Sequence, residues 1–370
     1  MRKNDDIFRY DTVSLNDAEG EVVIIDQTKL PGRAELLRIK TVKELFTAIK
    51  LLQVRGAPAI GVAAAFGLYL AAKEIDSRDF DTFKQRVFES GAYLRGARPT
   101  AVNLSWALSR MERRLGLLSS ESVDEAKKAL LEEALAIRDE DILVCRAIGE
   151  RSLEFVKKGF GLLTHCNAGR LATIRYGTAT SVMYLGHERG YGFRIFADET
   201  RPLLQGARLT AFELQSAGMD VTLICDGMTA SVMKSGRVDA VFVGCDRVAA
   251  NGDAANKIGT LSAAIAAKRF GIPFYVCAPT STIDLSAKTG ADIVIEERDS
   301  GEITEMWYSE RMAPPGVKVF NPAFDVTDAD LITAIITEFG AARAPFGASL
   351  RGLIEKNARA GFEARWEALT

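Results

Sequence analysis

The sequence has few of the residues that build metal centres and disulfide frameworks. It contains two histidines, His165 and His187, and five cysteines. The cysteines are odd in number, lie far apart and form no Cys-x-x-Cys pair, whereas disulfide frameworks and zinc sites use paired or closely spaced ligands. We therefore expect free thiols, a reducing cytoplasm and no bound metal.

The sequence also lacks a long hydrophobic run and an excess of one charge. No apolar stretch approaches the roughly 18–20 residues that cross a bilayer. The first residues, Met-Arg-Lys-Asn-Asp-Asp, have no apolar segment behind them and do not resemble a secretory signal. The formal net charge is −2, and the two signs are interspersed. We expect neither a membrane nor a nucleic acid as a partner.

The sequence does contain enough hydrophobic material for two domains, with 48% hydrophobic residues in a chain of 370. Short strand-like runs at 7–40 give way to helical spacing, where Thr41 and Glu44 form a potential capping box. The next apolar helix is expected from Val62. After residue 160, apolar runs alternate with helical ones. These runs lie at 161–165, 193–197, 220–225, 239–244, 273–278 and 292–295.

The alternation is typical of βαβ units and predicts an α/β fold with a Rossmann-like, doubly wound, mostly parallel sheet. We place this domain at residues 141–345. A mainly helical N-terminal domain with a small antiparallel sheet precedes it at 1–140, and a helical tail follows at 346–370.

Two of these strands end in polar turns that carry reactive groups. The run that starts at Gly161 ends at Cys166, and the run that starts at Val241 ends at Asp246. Parallel strands bring such turns to one edge of the sheet, where open α/β sheets bind ligands. A helix N-terminus at the first turn would lower the pKa of the Cys166 thiol and make it reactive. The alternative is that Cys166 is a small buried hydrophobe and Asp246 a helix cap.

Other polar clusters also follow apolar runs. Arg55 and two glycines interrupt two apolar helices in a way that suits a phosphate, and the alternative is an ordinary turn with a surface arginine. Arg98 precedes a predicted helix and alone is a weak signal. Gln205 lies in a polar segment after the strand at 193–197, and Asn256 with Lys257 follows an Asn-Gly turn after Asp246.

Several features argue for simpler roles or against other ligands. We interpret His165 as a structural residue, and the thiols Cys225, Cys245 and Cys277 as packing groups in apolar strand ends. The chain has neither a Walker Gly-Lys-Ser/Thr nor a Gly-x-Gly-x-x-Gly fingerprint, which disfavours ATP and dinucleotides.

These segments together resemble the methylthioribose-1-phosphate isomerase family, whose superfamily includes ribose-1,5-bisphosphate isomerase and regulatory subunits of translation initiation factor 2B. The resemblance spans roughly residues 20–340. Its pieces are Arg55–Gly61, Arg98–Leu104, Thr164–Gly169, Ala197–Leu209, Gly244–Gly259, Ala278–Asp284, Ile295–Asp299 and Asn321–Asp325.

The resemblance implies a homodimeric isomerase of methionine salvage that needs no cofactor or metal. It converts 5-methylthioribose 1-phosphate to 5-methylthioribulose 1-phosphate. The family's catalytic pair falls on Cys166 and Asp246. Its substrate-binding positions fall on Arg55, Gly56, Ala57, Arg98, Gln205, Asn256 and Lys257.

Two departures leave the substrate open. Trp307 and Tyr308 stand where the family pattern has glycine, and Cys245 stands where alanine is usual. If residues 305–312 approach the C5 substituent, 5-deoxyribose 1-phosphate or ribose 1,5-bisphosphate becomes the alternative substrate. A different class of function, a subunit that senses a sugar phosphate or nucleotide, is disfavoured because such regulatory subunits generally lack the catalytic pair.

Overall fold

The computed structural model describes residues 7–99, 101–118 and 122–359 of the chain, with side chains up to residue 356. The chain divides into two compact units. The first unit runs to Leu143 and takes in Arg170–Gly177, and the second comprises Val144–Gly169 and the residues from Thr178 on. The sequence did not indicate that residues 170–177 belong with the first unit, and the predicted boundary near residue 140 stays a prediction.

The first unit contains the small antiparallel sheet that the sequence predicted. Its strands are β1 (Val13–Asn16), β2 (Glu21–Ile25) and β3 (Leu36–Ile39). β2 is central and pairs antiparallel with both neighbours, with Val13 opposite Ile24 and Ile25 opposite Leu36. Every residue of β2 is buried, because the helices of this unit and the sheet share one apolar core.

Helices make up the rest of the first unit. They are α1 (Val42–Lys50), α2 (Ala57–Glu74), α3 (Phe80–Arg95), α4 (Val102–Gly116) and α5 (Val123–Leu153), and α5 continues into the second unit. The predicted capping box is present, since Thr41 and Glu44 each accept a hydrogen bond from the other's backbone N–H. α2 begins before the expected Val62, because Pro58 in its first turn is compatible with a helix start.

The strands of the second unit form two sheets. In chain order they are β4 (Gly161–Thr164), β5 (Arg194–Asp198), β6 (Asp220–Ile224), β7 (Ala240–Val243), β8 (Arg247–Ala249), β9 (Ala254–Lys257), β10 (Phe274–Cys277), β11 (Ile283–Asp284), β12 (Phe324–Thr327), β13 (Ala334–Thr337) and β14 (Gly340–Ala342).

The larger sheet has the order β14-β13-β10-β7-β4-β5-β6. Its strands are parallel except for β14, which runs antiparallel to β13. This confirms the predicted Rossmann-like, mostly parallel sheet. Residues of β4, β7, β10 and β13 are buried throughout, as expected for strands that are covered on both faces.

One predicted strand is wrong. Residues 292–295 form no strand: a short 3-10 turn ends at Asp292, Ile293 is buried and Val294 is 92% exposed. The sheet instead gains β13, which pairs with β10 and which the sequence analysis did not single out. A short apolar run indicates burial of single residues but does not specify which sheet it joins.

A second, four-stranded sheet with the order β11-β8-β9-β12 was not predicted. β8 and β9 follow directly after β7, and β9 pairs antiparallel with β12, with Asn256 opposite Asp325. The four-stranded sheet therefore gives the segment from Asp246 to Lys257 a fixed backbone.

The remaining helices belong to the second unit. They are α6 (Ser181–Glu188), α7 (Ala211–Ser216), α8 (Thr229–Lys234), α9 (Thr260–Phe270), α10 (Gly301–Thr304) and α11 (Phe346–Arg359). α11 confirms the predicted helix in the tail up to residue 359, and residues 360–370 lie outside the described part. Among the helices that the structure describes, none is both long and apolar enough to cross a bilayer.

Candidate active site

The carboxyl ends of β4 and β7 carry the two residues that were predicted to be catalytic. Cys166 follows β4 and Asp246 follows β7, and these strands are parallel neighbours. The chain proceeds from β4 to β5 and β6 on one side, and from β7 to β10 and β13 on the other. The topological switch point of the sheet therefore lies between β4 and β7, where open α/β sheets bind ligands.

The loops after these two strands pack directly against each other. A Cβ atom placed on Gly244 would lie 2.4 Å from the Cβ of Ala168, which is closer than side chains approach. Only glycine lets the backbone before Asp246 pass so near the turn after Cys166.

Cys166 has an uncommon backbone conformation, with φ of +65°. Its N–H donates to the Thr200 hydroxyl at 2.8 Å, and its carbonyl accepts a hydrogen bond from the Thr210 hydroxyl at 2.6 Å. A non-glycine residue in the left-handed region costs free energy, so the surrounding contacts must hold it there. The two threonines fix the direction in which the thiol leaves the backbone.

The turn after Cys166 is anchored to α7 through a buried carboxylate. Asn167 donates through Nδ2 to the Thr210 hydroxyl at 3.0 Å and to Glu213 Oε2 at 3.2 Å. The Thr180 hydroxyl lies 3.5 Å from Glu213 Oε1. Because buried polar groups are costly unless they are hydrogen-bonded, this network favours one arrangement of the turn.

Asp246 lies beside the small sheet. Its N–H donates to the carbonyl of Ala255 at 2.9 Å, which places it next to Asn256. The Asp246 side chain is exposed, because the apolar part of the strand ends before Asp246 and the chain turns into β8.

Asn256 and Lys257 lie side by side in β9. Asn256 is buried and donates through Nδ2 to the Thr260 hydroxyl at 3.0 Å. Lys257 donates through Nζ to the carbonyl of Ala323 at 2.9 Å, and its ammonium lies 4.5 Å from the centre of the Phe324 ring. These contacts hold the ammonium group in one place.

Gln205 lies between β5 and a π-helical turn, Gly206–Thr210, that leads into α7. Its side chain is 7% exposed, and Oε1 has no hydrogen-bond partner within the part of the chain that the structure describes. A buried amide oxygen without a donor costs roughly 1–3 kcal/mol, and a ligand hydroxyl would remove that cost.

The segment with the unusual aromatic residues packs against the Gln205 loop. Trp307 donates through Nε1 to the carbonyl of Pro202 at 2.6 Å. The guanidinium of Arg208 lies 4.7 Å from the centre of the Trp307 ring, and Arg201 donates to the carbonyl of Ile303 at 2.9 Å. Trp307, one of the residues that depart from the family pattern, therefore contacts the loop that carries Gln205.

The other predicted binding residues belong to the first unit. Arg55 donates through Nε to Gln27 Oε1 at 3.1 Å, and Gly56, with φ of +89°, directly precedes α2, which begins at Ala57. Arg98 is half-buried in the connection between α3 and α4. Arg55 and Arg98 thus both lie close to helix starts, as the sequence predicted.

The remaining strand-end thiols differ from Cys166. Burial raises the pKa of Cys245 and of Cys277 to about 12, so both stay protonated at neutral pH. Cys225 is exposed, which corrects its interpretation as a packing residue, and the carboxylate of Glu199 raises its pKa.

The sequence analysis missed the residues that hold the loops in place. Thr200, Thr210 and Glu213 are buried and contact the Cys166 turn. In the sequence each of them is simply a polar residue inside a helix or after a strand. Such residues are also common on protein surfaces, so the residue type alone does not reveal the role.

The fold and the site together define a Rossmann-like α/β protein with a thiol and a carboxylate at the switch point. The family model described as the initiation factor 2 subunit family matches residues 53–344. The chain belongs to this family, which confirms the resemblance seen in its motifs.

Individual relatives are similar over nearly their whole length. A methylthioribose-1-phosphate isomerase of Symbiobacterium thermophilum is 62% identical over 352 residues, covering 95% of this chain and 98% of the relative. A 5-deoxyribose 1-phosphate isomerase of Petrotoga mobilis is 55% identical, covering 93% and 99%. The crystal structure of 5-methylthioribose 1-phosphate isomerase from Pyrococcus horikoshii superposes with a TM-score of 0.90 at 43% identity, covering 94% of this chain and 96% of that one.

Proposed function

We propose that this chain is an aldose–ketose isomerase that converts 5-methylthioribose 1-phosphate to 5-methylthioribulose 1-phosphate without a cofactor. The observation that carries the proposal is the position of Cys166 and Asp246 at the ends of β4 and β7, on either side of the switch point. The relative of Symbiobacterium thermophilum, which bears the name of this activity, supports it. The corresponding biological role is methionine salvage in the cytoplasm, by a homodimer.

The substrate needs an acid because a phosphate on C1 prevents the spontaneous ring opening of a free sugar. Asp246 is the proposed acid, which protonates the ring oxygen as the ring opens. The hydrogen bond from the Asp246 N–H to the Ala255 carbonyl holds the backbone at the end of the strand. The side chain is exposed, so a bound ligand can reach its carboxyl group.

The second step moves hydrogen from C2 to C1. Cys166 is the proposed partner for this step, either as a thiolate that carries a proton or as a group that stabilises charge around a hydride shift. Both routes need a thiol in a fixed direction, which the Thr200 and Thr210 hydrogen bonds provide.

The proposed substrate contacts are polar groups that the sequence predicted for this role. The Gln205 amide oxygen accepts a hydrogen bond from a sugar hydroxyl, and Asn256 contacts another. Lys257 uses one of its three N–H groups on Ala323, and the ammonium charge attracts the phosphate. Arg55, Gly56, Ala57 and Arg98 are proposed phosphate contacts, since a helix start and an arginine both favour an anion.

The proposal is tested by the turnover of three sugars, 5-methylthioribose 1-phosphate, 5-deoxyribose 1-phosphate and ribose 1,5-bisphosphate, with ketose formation as the readout. We expect kcat/KM for the methylthio sugar to exceed the others by tenfold or more, about 1.4 kcal/mol of discrimination. Equal or faster turnover of the deoxy sugar would reassign the substrate to the one named for the Petrotoga mobilis relative. No turnover of any of the three sugars would contradict the isomerase proposal.

A further inference from the structure

His165 lies directly before Cys166 and is 1% exposed. Its Nδ1 lies 3.0 Å from Asp198 Oδ2, and its Nε2 lies 2.8 Å from the carbonyl oxygen of Ile258. A carbonyl oxygen only accepts hydrogen bonds, so Nε2 must carry a proton. The imidazole therefore joins the ends of β4 and β5 to the loop that follows β9.

Two carboxylates lie close to this ring on different segments. Asp198 Oδ2 is hydrogen-bonded to Nδ1, and Asp226 Oδ1 lies 4.0 Å from it. A third, Asp325 of β12, is linked to the ring through Gly259, whose N–H donates to it and which packs against the imidazole. Two carboxylates within 4.0 Å of Nδ1 favour a cationic ring over a neutral imidazole.

Each carboxylate also holds a separate loop. Asp226 accepts hydrogen bonds from the N–H groups of Thr200 and Arg201, both at 2.7 Å, at the start of the Gln205 loop. Asp325 accepts one from the Gly259 N–H at 2.7 Å and one from the Leu261 N–H at 3.2 Å, directly after Lys257.

Asp198 and a glycine complete the arrangement. Asp198 accepts a hydrogen bond from the Thr229 hydroxyl at 2.6 Å, at the start of α8. Gly259 has φ of +103°, and a Cβ atom there would lie 2.7 Å from Cε1 of His165. Glycine thus lets the loop after Lys257 pass directly against the imidazole.

Burial alone would favour the neutral ring. The hydrogen bond to Asp198 and the charges of Asp198 and Asp226 outweigh this effect and raise the pKa of His165. The His165, Asp198 and Asp226 ligand atoms also lie within 4.8 Å of one another, as a metal site requires. However, Nδ1 lies 3.0 Å from Asp198 Oδ2 and Nε2 lies 2.8 Å from the Ile258 carbonyl oxygen, which are the distances of two hydrogen bonds that the ring donates.

We propose that His165 is a buried imidazolium that serves as the shared counter-charge of Asp198, Asp226 and Asp325, and thereby positions Cys166 between the Gln205 loop and the Asn256–Lys257 strand. His165 is a positioning residue, and its effect on turnover rests on the proposed isomerase function. A positive charge beside a thiol makes the thiol more reactive toward alkylating reagents.

The charge is tested by NMR on the full chain labelled with ¹⁵N-histidine. Only two histidines are present, and the exposed His187 is assigned by comparison with the His187→Gln variant. We expect both ring nitrogens of His165 to be protonated at pH 7. A neutral His165 with an unprotonated Nδ1 at pH 7 would overturn the proposal and direct attention to a metal ion. This measurement needs no substrate, so it stands if the proposed function fails.

The positioning role is tested by the rate at which iodoacetamide alkylates Cys166, with the exposed Cys225 in the same protein as the reference thiol. In His165→Gln, loss of the adjacent charge should slow alkylation of Cys166 at least threefold relative to Cys225. A residue with a merely structural role would loosen the turn and speed alkylation, which would overturn the proposal. If His165→Gln does not fold, Asp198→Asn supplies the same comparison, since its neutral amide withdraws the principal partner of the charge.

Discussion

The two units of this chain use their interiors differently. In the first unit, α2 is buried from Ala59 to Ala72, and the core is almost entirely apolar. Within the part that the structure describes, the first unit buries only a few charged or amide side chains, namely Glu21, Asp26 and Gln27. The second unit has an apolar core as well but buries more of them, among them His165, Asp198, Glu213 and Asn256. Among the described residues, the buried polar groups are thus concentrated in the second unit.

The difference shows that stability and the shape of the site have separate origins. Apolar burial stabilises a fold without specifying one arrangement of loops. A buried polar group without a hydrogen-bond partner costs desolvation free energy. Each buried hydrogen bond in the second unit therefore favours the one loop position in which it forms. Substitutions in the two units should therefore have different consequences.

The largest effect is expected in the apolar core of the first unit. Phe66 is completely buried in α2. Phe66→Ala should lower the free energy of unfolding by about 3–5 kcal/mol, because it removes buried surface and leaves a cavity. Urea unfolding followed by circular dichroism measures this loss, and kcat per folded molecule should change by less than about twofold.

Phe88→Ala is the matched control, because Phe88 is 37% exposed on α3. We expect its cost to stay below about 1 kcal/mol. Equal losses in the two variants would mean that burial in α2 does not set the stability of this unit.

The second-largest effect is expected at the polar edge of the second unit. There the substitutions should lower turnover rather than the free energy of unfolding. Cys166→Ser and Asp246→Asn should each lower kcat at least ~10²-fold, because each removes a group that moves a proton or stabilises charge. This corresponds to about 2.7 kcal/mol of transition-state stabilisation. Both variants should unfold at nearly the same urea concentration as the unaltered protein.

Two substitutions serve as controls for these variants. Cys225→Ser changes an exposed thiol after β6, and Asp220→Asn changes an exposed carboxylate at the amino end of β6. Both should keep kcat within about twofold. Near-normal turnover of Cys166→Ser or Asp246→Asn would contradict the role proposed for that residue.

The smallest effect concerns Asp141, a carboxylate within the first unit that departs from its apolar character. Asp141 accepts a hydrogen bond from the Ile174 N–H at 2.7 Å, and burial raises its pKa to about 7. The folded state thus holds a proton that the unfolded state releases between about pH 4 and pH 7, so stability falls as the pH rises through this window.

Asp141→Asn removes this titration. The variant should be more stable than the unaltered protein at pH 8, and this gain should be larger at pH 8 than at pH 5 by about 1–3 kcal/mol, as measured by urea unfolding. Asp76→Asn, at an exposed position in the same unit, should differ by less than about 0.5 kcal/mol at both pH values. A variant that is less stable at pH 8 would show that the charged carboxylate stabilises the fold.

Much of the second unit could be predicted from local patterns. The apolar runs before Cys166 and Asp246 predicted β4 and β7, and the alternation with helices predicted a mostly parallel sheet. The segment at 292–295 failed because its exposed Val294 and buried Ile293 give the same apolar signal as a strand. The four-stranded sheet was missed because its strands are two to four residues long and each contains a charged or amide residue, so that none of them forms an apolar run.

The sequence by itself determined where strands end in reactive side chains, because the burial of successive residues follows from a local hydrophobic pattern. The resemblance of its motifs to a family predicted Gln205, Asn256 and Lys257 as substrate contacts, and this stays a prediction. Only the tertiary structure decided that Asp246 is exposed and that His165 lies beside Asp198 and Asp226. These two partners come from separate segments, at the end of β5 and after β6, and contacts between distant segments depend on their positions in space, which no local pattern contains.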